Sequence, residues 1–125
     1  MNVTDWHVLV VEDDHYGWEV VSRMLEFRHI GADIATTAED ALEALATQPY
    51  TAVIIDLALP GMDGWSLLQQ IKDNADTAHL PCIAMTAYHD SRVAQEARRA
   101  GFVGYFPKPL NTSFAEEVEK TLASL

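Results

Sequence analysis

Several features that define other classes of protein are missing from this 125-residue sequence. Cysteine occurs only once, at Cys82, so the chain cannot form an internal disulfide. No segment approaches the roughly 20 consecutive apolar residues of a membrane-spanning helix. Residues 1–6 also lack the basic start and apolar stretch of an export signal. We therefore expect a cytoplasmic protein with a reduced core cysteine and no insertion into membranes.

Basic residues are scarce as well. The sequence has 8 Lys and Arg against 19 Asp and Glu, and its formal net charge is −11. Since binding to nucleic acid depends on a basic surface, direct contact with nucleic acid is not expected. Three of the basic residues, Arg92, Arg98 and Arg99, nevertheless fall within one stretch. They form either a solvated helix face or a docking surface for an acidic partner.

The apolar content is sufficient for one compact core. Hydrophobic residues make up 49% of the sequence, and 125 residues is a usual size for a single domain. No linker, internal repeat or low-complexity stretch separates one part of the chain from another. We therefore expect one domain over residues 1–125, without an effector domain.

Short apolar runs alternate with longer segments of helical period, which is typical of strand–helix units in a parallel sheet covered on both faces. The sequence predicts an α/β fold with five strands, at residues 6–11, 32–35, 52–56, 82–86 and 103–106. Five helices are predicted, over residues 15–29, from 37 to 49, after 64, over 91–100 and after 111.

The first and fourth helices carry the most specific expectations. Val20, Met24 and Phe27, at spacings of four and three, predict the buried face of the first helix, and Gly31 is expected to end it. The fourth helix has only a weak apolar face of small side chains. We therefore predict that it is the least firmly anchored of the five.

Polar residues stand at the predicted ends of four strands. Glu12 and Asp13 follow the first strand, and Asp56 ends the third. Because neighbouring parallel strands end at the same edge of a sheet, these carboxylates are expected to lie together and to attract a cation. Thr86 and Lys108 fall at the ends of the fourth and fifth strands. A ligand site is therefore expected at this edge.

Together these residues resemble the receiver domains of two-component response regulators, and the resemblance covers essentially the whole chain. The spacings also fit, since 30 residues separate Asp56 from Thr86 and 22 separate Thr86 from Lys108. The resemblance implies a doubly wound, flavodoxin-like sheet in the order 2-1-3-4-5. The matching residues are Val10-Val11-Glu12-Asp13-Asp14, Asp56 with Pro60, Asp63 and Gly64, then Thr86-Ala87 and Lys108-Pro109.

In this family the acceptor is an aspartate, so the resemblance implies that Asp56 takes a phosphoryl group from a sensor histidine kinase or a histidine phosphotransfer protein. Lys108 and Thr86 would contact the phosphoryl oxygens. The resemblance also implies a cis peptide bond between Lys108 and Pro109. The protein would not be an enzyme, beyond catalysing its own phosphorylation and dephosphorylation.

Mg²⁺ is the cofactor that the resemblance implies. Its ligands would be Glu12, Asp13, Asp56 and the backbone carbonyl of Ala58, since Mg²⁺ prefers hard oxygen ligands. From the residues alone, either of two adjacent acidic pairs could hold the metal. The family register favours Glu12 with Asp13 and leaves Asp14 to cap the first helix.

The resemblance further implies that Thr86 and Tyr105 form a switch pair. Their movement would alter the surface of the fourth helix, fifth strand and fifth helix, where an unidentified protein partner or a second copy of the chain would bind. Three other interpretations stay open at this point. They are a phosphohydrolase, which would lack an acid at Ala58; a flavin-binding module; and a receiver fold that is not phosphorylated.

Overall fold

The computed structural model describes residues 5–125 and contains one five-stranded sheet. All of its strand pairs are parallel, and the strand order is β2-β1-β3-β4-β5. The predicted fold class and strand order are therefore confirmed. The strands are β1 (His7–Val11), β2 (Gly31–Ala35), β3 (Ala52–Asp56), β4 (Cys82–Thr86) and β5 (Gly104–Pro107).

Five helices connect and cover these strands. They are α1 (His15–Phe27), α2 (Ala38–Thr47), α3 (Gly64–Asp73), α4 (Ser91–Ala100) and α5 (Phe114–Ala123). Asp14 caps α1 by accepting a hydrogen bond from the Gly17 N–H, as predicted. No helix among residues 5–125 combines the length and apolar character needed to cross a bilayer.

The core lies on both faces of the sheet. On one face, alternate residues of β1 and β3 pack with α2, α3 and Ala97 of α4. On the other face, the intervening strand residues pack with α1 and α5. Every residue of β3 and β4 is buried, as expected for central strands of a doubly wound sheet. The ends of β3 and β4 are therefore anchored by strands that are buried along their whole length.

The predicted buried face of α1 is wrong at Val20 and Phe27, whereas Met24, the third residue of that prediction, is partly buried against the core. Val20 is 46% exposed and Phe27 is 85% exposed, whereas Val21 and Leu25 are buried against the sheet. The helix carries two apolar stripes with similar spacing, and packing against α5 and the sheet selects the stripe of Val21 and Leu25. The other stripe, which includes Tyr16, faces solvent.

The predicted end of α1 is also wrong. The helix ends at Phe27, and His29, not Gly31, adopts the left-handed conformation with φ of 62°. Gly31 is instead the first residue of β2. The N–H groups of His29 and Ile30 donate to carbonyl oxygens of the last helical turn, so the chain turns into β2 without a glycine stop.

Candidate functional site

The carboxyl ends of β1 and β3 bring three acidic side chains together. Val11 pairs with Ile55, so Glu12 and Asp56 are neighbours across the two strands. Carboxylate oxygens of Glu12, Asp13 and Asp56 all lie within 4.8 Å of one another. The carboxylate cluster predicted at this edge of the sheet is therefore present, with Glu12 and Asp56 buried and Asp13 exposed.

Lys108 supplies the positive charge of the site. Its Nζ lies 2.5 Å from Glu12 Oε1 and 3.0 Å from Asp56 Oδ2. The backbone N–H of Lys108 donates to the carbonyl oxygen of Thr86 over 2.8 Å, which ties the end of β5 to the end of β4. The peptide bond between Lys108 and Pro109 is cis, as predicted.

Glu12 is completely buried, which is unusual for a carboxyl group. It lies beneath the first turn of α1, where a Cβ atom on Gly17 would fall 2.1 Å from Glu12 Oε1. Burial, and secondarily the neighbouring Asp56 carboxylate, raises the pKa of Glu12 to about 8. In the absence of a metal ion, Glu12 is therefore largely protonated at neutral pH.

Asp56 has the opposite electrostatic state. Burial alone would raise its pKa, but the neighbouring Glu12 carboxyl, the Ala58 N–H and Lys108 together hold the pKa of Asp56 below its ordinary value. The Ala58 N–H donates to Asp56 Oδ1 over 3.0 Å. The result is an ionised, partly desolvated carboxylate at the end of a buried strand, which is the state required of a nucleophile.

The same pocket fits a hard divalent cation. Glu12 Oε2 is buried without a hydrogen-bond partner, and three carboxylates with one lysine leave an excess of negative charge once Glu12 ionises. Asp13 is exposed beside them and can bind a cation that keeps several of its waters. Ala58 is exposed in the loop, two residues after Asp56. Its backbone carbonyl stays a predicted ligand of the cation.

The loop after β3 packs closely against α3. Gly64 N donates to the carbonyl oxygen of Leu57 over 3.2 Å. A Cβ atom on Gly64 would lie 2.5 Å from the Asp56 carbonyl oxygen and 2.8 Å from Leu57 Cα, so only glycine fits there. Asp63 caps α3 through Ser66 N. The sequence marked Gly64 only as a residue that matches the family and did not indicate this close approach to the backbone of Asp56.

Gly17 was missed altogether by sequence reasoning. Its role depends on the position of the Glu12 side chain beneath α1, and this contact is formed only after the helix has packed. A glycine in the first turn of a predicted helix was the available signal, since glycine is unfavourable inside helices.

Thr86 and Tyr105 lie on adjacent strands beyond the acidic cluster. Thr86 is 2% exposed, and its Oγ1 accepts a hydrogen bond from Tyr88 N over 3.0 Å. Tyr105 is partly buried, and its hydroxyl lies 2.9 Å from His89 Nδ1. No pattern in the sequence links His89 to Tyr105.

Two small cavities flank the site. One, of about 210 Å³, is lined by Leu57, Ala58, Trp65, Thr86, Tyr88, Val93 and Glu96. The other, of about 260 Å³, is lined by Tyr16, Gly17, Val20, Val21, Lys108, Pro109 and Leu110. A larger cavity, of about 770 Å³, lies between α2 and α3 and contains none of the site residues.

Comparison with known proteins places these features in context. The family model for the response regulator receiver domain matches residues 8–118. A 14.6 kDa protein of Leptolyngbya boryana is 34% identical over 104 residues, covering 83% of this chain and 79% of that protein. The DNA-binding transcriptional regulator NtrC of Escherichia coli K12 is 36% identical over 104 residues, but this chain spans only 22% of its length.

A solved structure shows the same fold. The CheY-like response regulator receiver domain protein of Methanospirillum hungatei JF-1 has a TM-score of 0.84 with this chain and is 25% identical to it. The likeness covers 95% of this chain and 94% of the other.

Proposed function

Because this chain belongs to the response regulator receiver domain family, we propose that it is a phosphorylation switch whose phosphoacceptor is Asp56. Receiver domains are signalling switches that take phosphoryl groups from histidine kinases onto an aspartate. The observation that carries the assignment of Asp56 is its pairing with Lys108 at 3.0 Å beside Glu12 and Asp13. The donor would be a sensor histidine kinase or a histidine phosphotransfer protein.

In the proposed reaction, an oxygen of Asp56 attacks phosphorus, a P–O bond forms and the P–N bond of the donor phosphohistidine breaks. The imidazole leaves with the electron pair of that bond and takes up a proton. Lys108 would pair with a phosphoryl oxygen. In support of this role, its pKa is raised despite burial because Glu12 and Asp56 hold its proton. This chain would catalyse at most its own phosphorylation and dephosphorylation.

Glu12, Asp13, Asp56 and the Ala58 carbonyl would hold Mg²⁺. Bound Mg²⁺ would reduce the repulsion between the anionic nucleophile and the anionic phosphoryl group. The fit is supported by the orphaned Oε2 of Glu12 and by the hard-oxygen character of the cluster. The chain's own contribution is to hold these oxygens on the ends of two buried strands.

The donor protein would approach along α1. The exposed stripe of Tyr16, Val20 and Phe27 begins beside Lys108, and the cavity of about 260 Å³ joins that stripe to Pro109. Exposed apolar side chains that lead directly to a reactive group are typical of a protein contact surface. A donor that covered this stripe would bring its phosphohistidine to Asp56.

The output surface would be formed by α4, β5 and α5. Arg92, Arg98 and Arg99 are exposed on α4 together with the single acidic residue Glu96, so this helix has a net positive charge in an acidic protein. A protein partner or a second copy of the chain would bind there once Thr86 and Tyr105 have moved. We further propose that residues 1–125 act as a single cytoplasmic receiver without direct contact to nucleic acid.

The decisive experiment is intact-mass analysis after incubation with acetyl phosphate and Mg²⁺. The wild type should gain the mass of one phosphoryl group, and Asp56→Asn, which keeps the shape of the side chain, should gain none. Lys108→Ala should reduce the phosphorylated fraction without moving the site of modification. A wild type that stays unmodified would contradict the proposal and would favour a receiver fold that is not phosphorylated.

A further inference from the structure

The segment between β4 and α4, residues 87–90, is attached to the rest of the protein by few interactions. All four residues are exposed, and α4 behind them buries only Ala97. We call residues 87–90 the switch loop. A loop with so little buried surface is free to adopt more than one conformation unless specific hydrogen bonds hold it.

Two side-chain hydrogen bonds hold the switch loop to neighbouring strands in the described part of the chain. Thr86 Oγ1, at the end of β4, accepts a hydrogen bond from Tyr88 N of the switch loop. His89 Nδ1 lies 2.9 Å from the Tyr105 hydroxyl, with ring centroids 5.5 Å apart. The second bond is the longer-range one, since 16 residues separate its partners, and it connects the switch loop to β5.

Tyr105 is held between the core and this bond. Its ring packs against the core cluster that contains Ala84 and Ala97, while its hydroxyl reaches the solvent-exposed His89. In the register of β4 and β5, Tyr105 pairs with Ala84, which precedes Thr86 by two residues on β4. A rotation of the Tyr105 ring away from its present position would therefore break the bond to His89.

We propose that His89 is a positioning residue, which holds Tyr105 and the switch loop in their present conformation, in which Thr86 Oγ1 is bonded to the loop, and so opposes the movement required for activation. The inference rests on the proposed function of Thr86 and Tyr105 as the switch pair. A neutral hydrogen bond near the surface changes a two-state equilibrium by about two- to tenfold. Loss of the bond should shift the unphosphorylated population toward the active state by this factor.

The bond is available in both protonation states of His89. Neutral His89 can accept from the Tyr105 hydroxyl at Nδ1, and protonated His89 can donate to the hydroxyl oxygen. The other charged group facing this pair is Asp90, which follows burial as a cause of the raised pKa of Tyr105. The proposal is therefore a steric and hydrogen-bonding restraint and not a pH sensor.

The first test measures the affinity for beryllofluoride, which imitates the phosphoryl group, by calorimetry in the presence of Mg²⁺. His89→Ala should tighten binding by about two- to tenfold, because a larger fraction of the protein is already in the competent state. His89→Asn, which can place an amide oxygen near the position of Nδ1, should behave like the wild type. The affinity for Mg²⁺ alone should not change in either variant.

A double-mutant cycle identifies the interaction responsible. Tyr105→Phe removes the hydroxyl and keeps the ring, so it should tighten binding as His89→Ala does, and combining the two should add nothing further. The inference is overturned if His89→Ala weakens or leaves unchanged the affinity for beryllofluoride. It is also overturned if His89→Ala has the same effect in the Tyr105→Phe background as in the wild type.

A second measurement does not depend on phosphorylation. In metal-free protein labelled with ¹³C in tyrosine rings, His89→Ala should shift or broaden the Tyr105 ring signals, and His89→Asn should leave them near their wild-type positions. Unchanged signals in His89→Ala would contradict the restraint even if the wild type binds no beryllofluoride. Failure of the wild type to bind beryllofluoride would instead count against the proposed function.

Discussion

Glu12 is the residue whose protonation sets the charge of the acidic cluster. Its pKa is raised from 4.5 to about 8 because the side chain is buried beneath α1, whereas the pKa of Asp56 is lowered. Near neutral pH without metal, the site therefore contains a neutral Glu12 beside an ionised Asp56, with a charged Lys108 in contact with both. A metal ligand must be deprotonated, so binding of a divalent cation would release this proton.

A substitution at Glu12 should reveal this proton in the pH dependence of stability. Because the folded pKa of Glu12 lies above its unfolded value, its favourable contribution is complete below pH 4.5 and is lost as pH rises through about 8. Glu12→Gln cannot ionise. The free energy of unfolding of metal-free wild type should fall relative to Glu12→Gln by on the order of 3 kcal/mol over this window.

Urea unfolding of both proteins in EDTA, at several pH values, measures this difference. Comparison with Glu12→Gln cancels the titration of groups remote from Glu12, and its two contacts are shifted away from this pH range, Asp56 downward and Lys108 upward. A difference in stability that stays constant from pH 5 to 8 would show that Glu12 is already ionised in the folded protein. That result would contradict the raised pKa of Glu12.

Gly64 provides a steric prediction at the same site. Gly64→Ala would place its Cβ 2.5 Å from the Asp56 carbonyl oxygen, so backbone must shift. We expect a loss of about 2 to 4 kcal/mol in the free energy of unfolding, and slower phosphorylation of the displaced Asp56. The matched control is Gly104→Ala, where the new Cβ meets only side-chain atoms at 3.4 Å or more.

Gly104→Ala should cost less than about 1 kcal/mol, because contacts at that distance are ordinary van der Waals contacts. Thermal unfolding of the two variants and the wild type measures both effects. Equal stability of Gly64→Ala and Gly104→Ala would mean that the loop after β3 can shift at little cost in free energy. The position of Asp56 would then not depend on the absence of a side chain at residue 64.

Among the helices, α4 depends most on its ends. It buries one residue, whereas α3 and α5 each bury four. Asp90 caps it by accepting from Val93 N over 2.9 Å, and Gly101 ends it in the left-handed conformation with φ of 118°. Because α4 buries only Ala97, its two caps contribute a large share of the free energy that stabilises the helix. This is the element that the proposed switch has to move.

Removal of the N-cap should therefore affect α4 more than the same change affects α3. Asp90→Ala is expected to speed amide hydrogen exchange in α4 by about fivefold, since an N-cap contributes about 1 kcal/mol. Asp63→Ala removes the corresponding cap of α3, whose Ser66 N donates over 2.8 Å. Exchange of buried α3 amides should change less, because four buried residues hold that helix to the sheet.

Exchange measured by NMR on both variants distinguishes the two helices. Amides of β3 and β4 should stay protected throughout and serve as the internal reference, since all of their residues are buried. If α3 and α4 respond equally to loss of their caps, the weak anchoring of α4 would be refuted.

For the molecule as a whole, the net charge of −11 opposes folding by mutual repulsion. The acidic cluster of Glu12, Asp13 and Asp56 concentrates part of this charge in one place. Screening by salt and specific binding of a divalent cation should therefore both stabilise the protein, but by separable amounts. Screening depends on ionic strength, whereas binding depends on intact ligands.

We expect about 10 mM MgCl₂ to raise the Tm more than about 30 mM NaCl, although the two solutions have the same ionic strength. The excess should disappear in Asp13→Asn, which removes one anionic ligand at the surface. Differential scanning calorimetry of both proteins measures it. An identical response to the two salts in the wild type would contradict a specific metal site.

The sequence by itself determined the alternation of strands and helices and the residues that stand at the strand ends. These are local properties: apolar runs mark buried strands, and Thr37 and Asp14 cap helices through residues close by in the chain. That Glu12, Asp56 and Lys108 lie at one edge also follows from sequence, since parallel strands end at the same edge of a sheet, whereas the strand order came from the resemblance to a family. Their chemical roles came from the resemblance to a family.

Only the tertiary structure decided which of two apolar stripes on α1 is buried, because both have helical spacing and packing against α5 chooses between them. The same holds for the proton on Glu12, since its pKa depends on burial beneath Gly17. The bond between His89 and Tyr105 joins residues 16 apart on different elements. Each of these depends on distances across the fold, which are established only when the helices pack on the sheet.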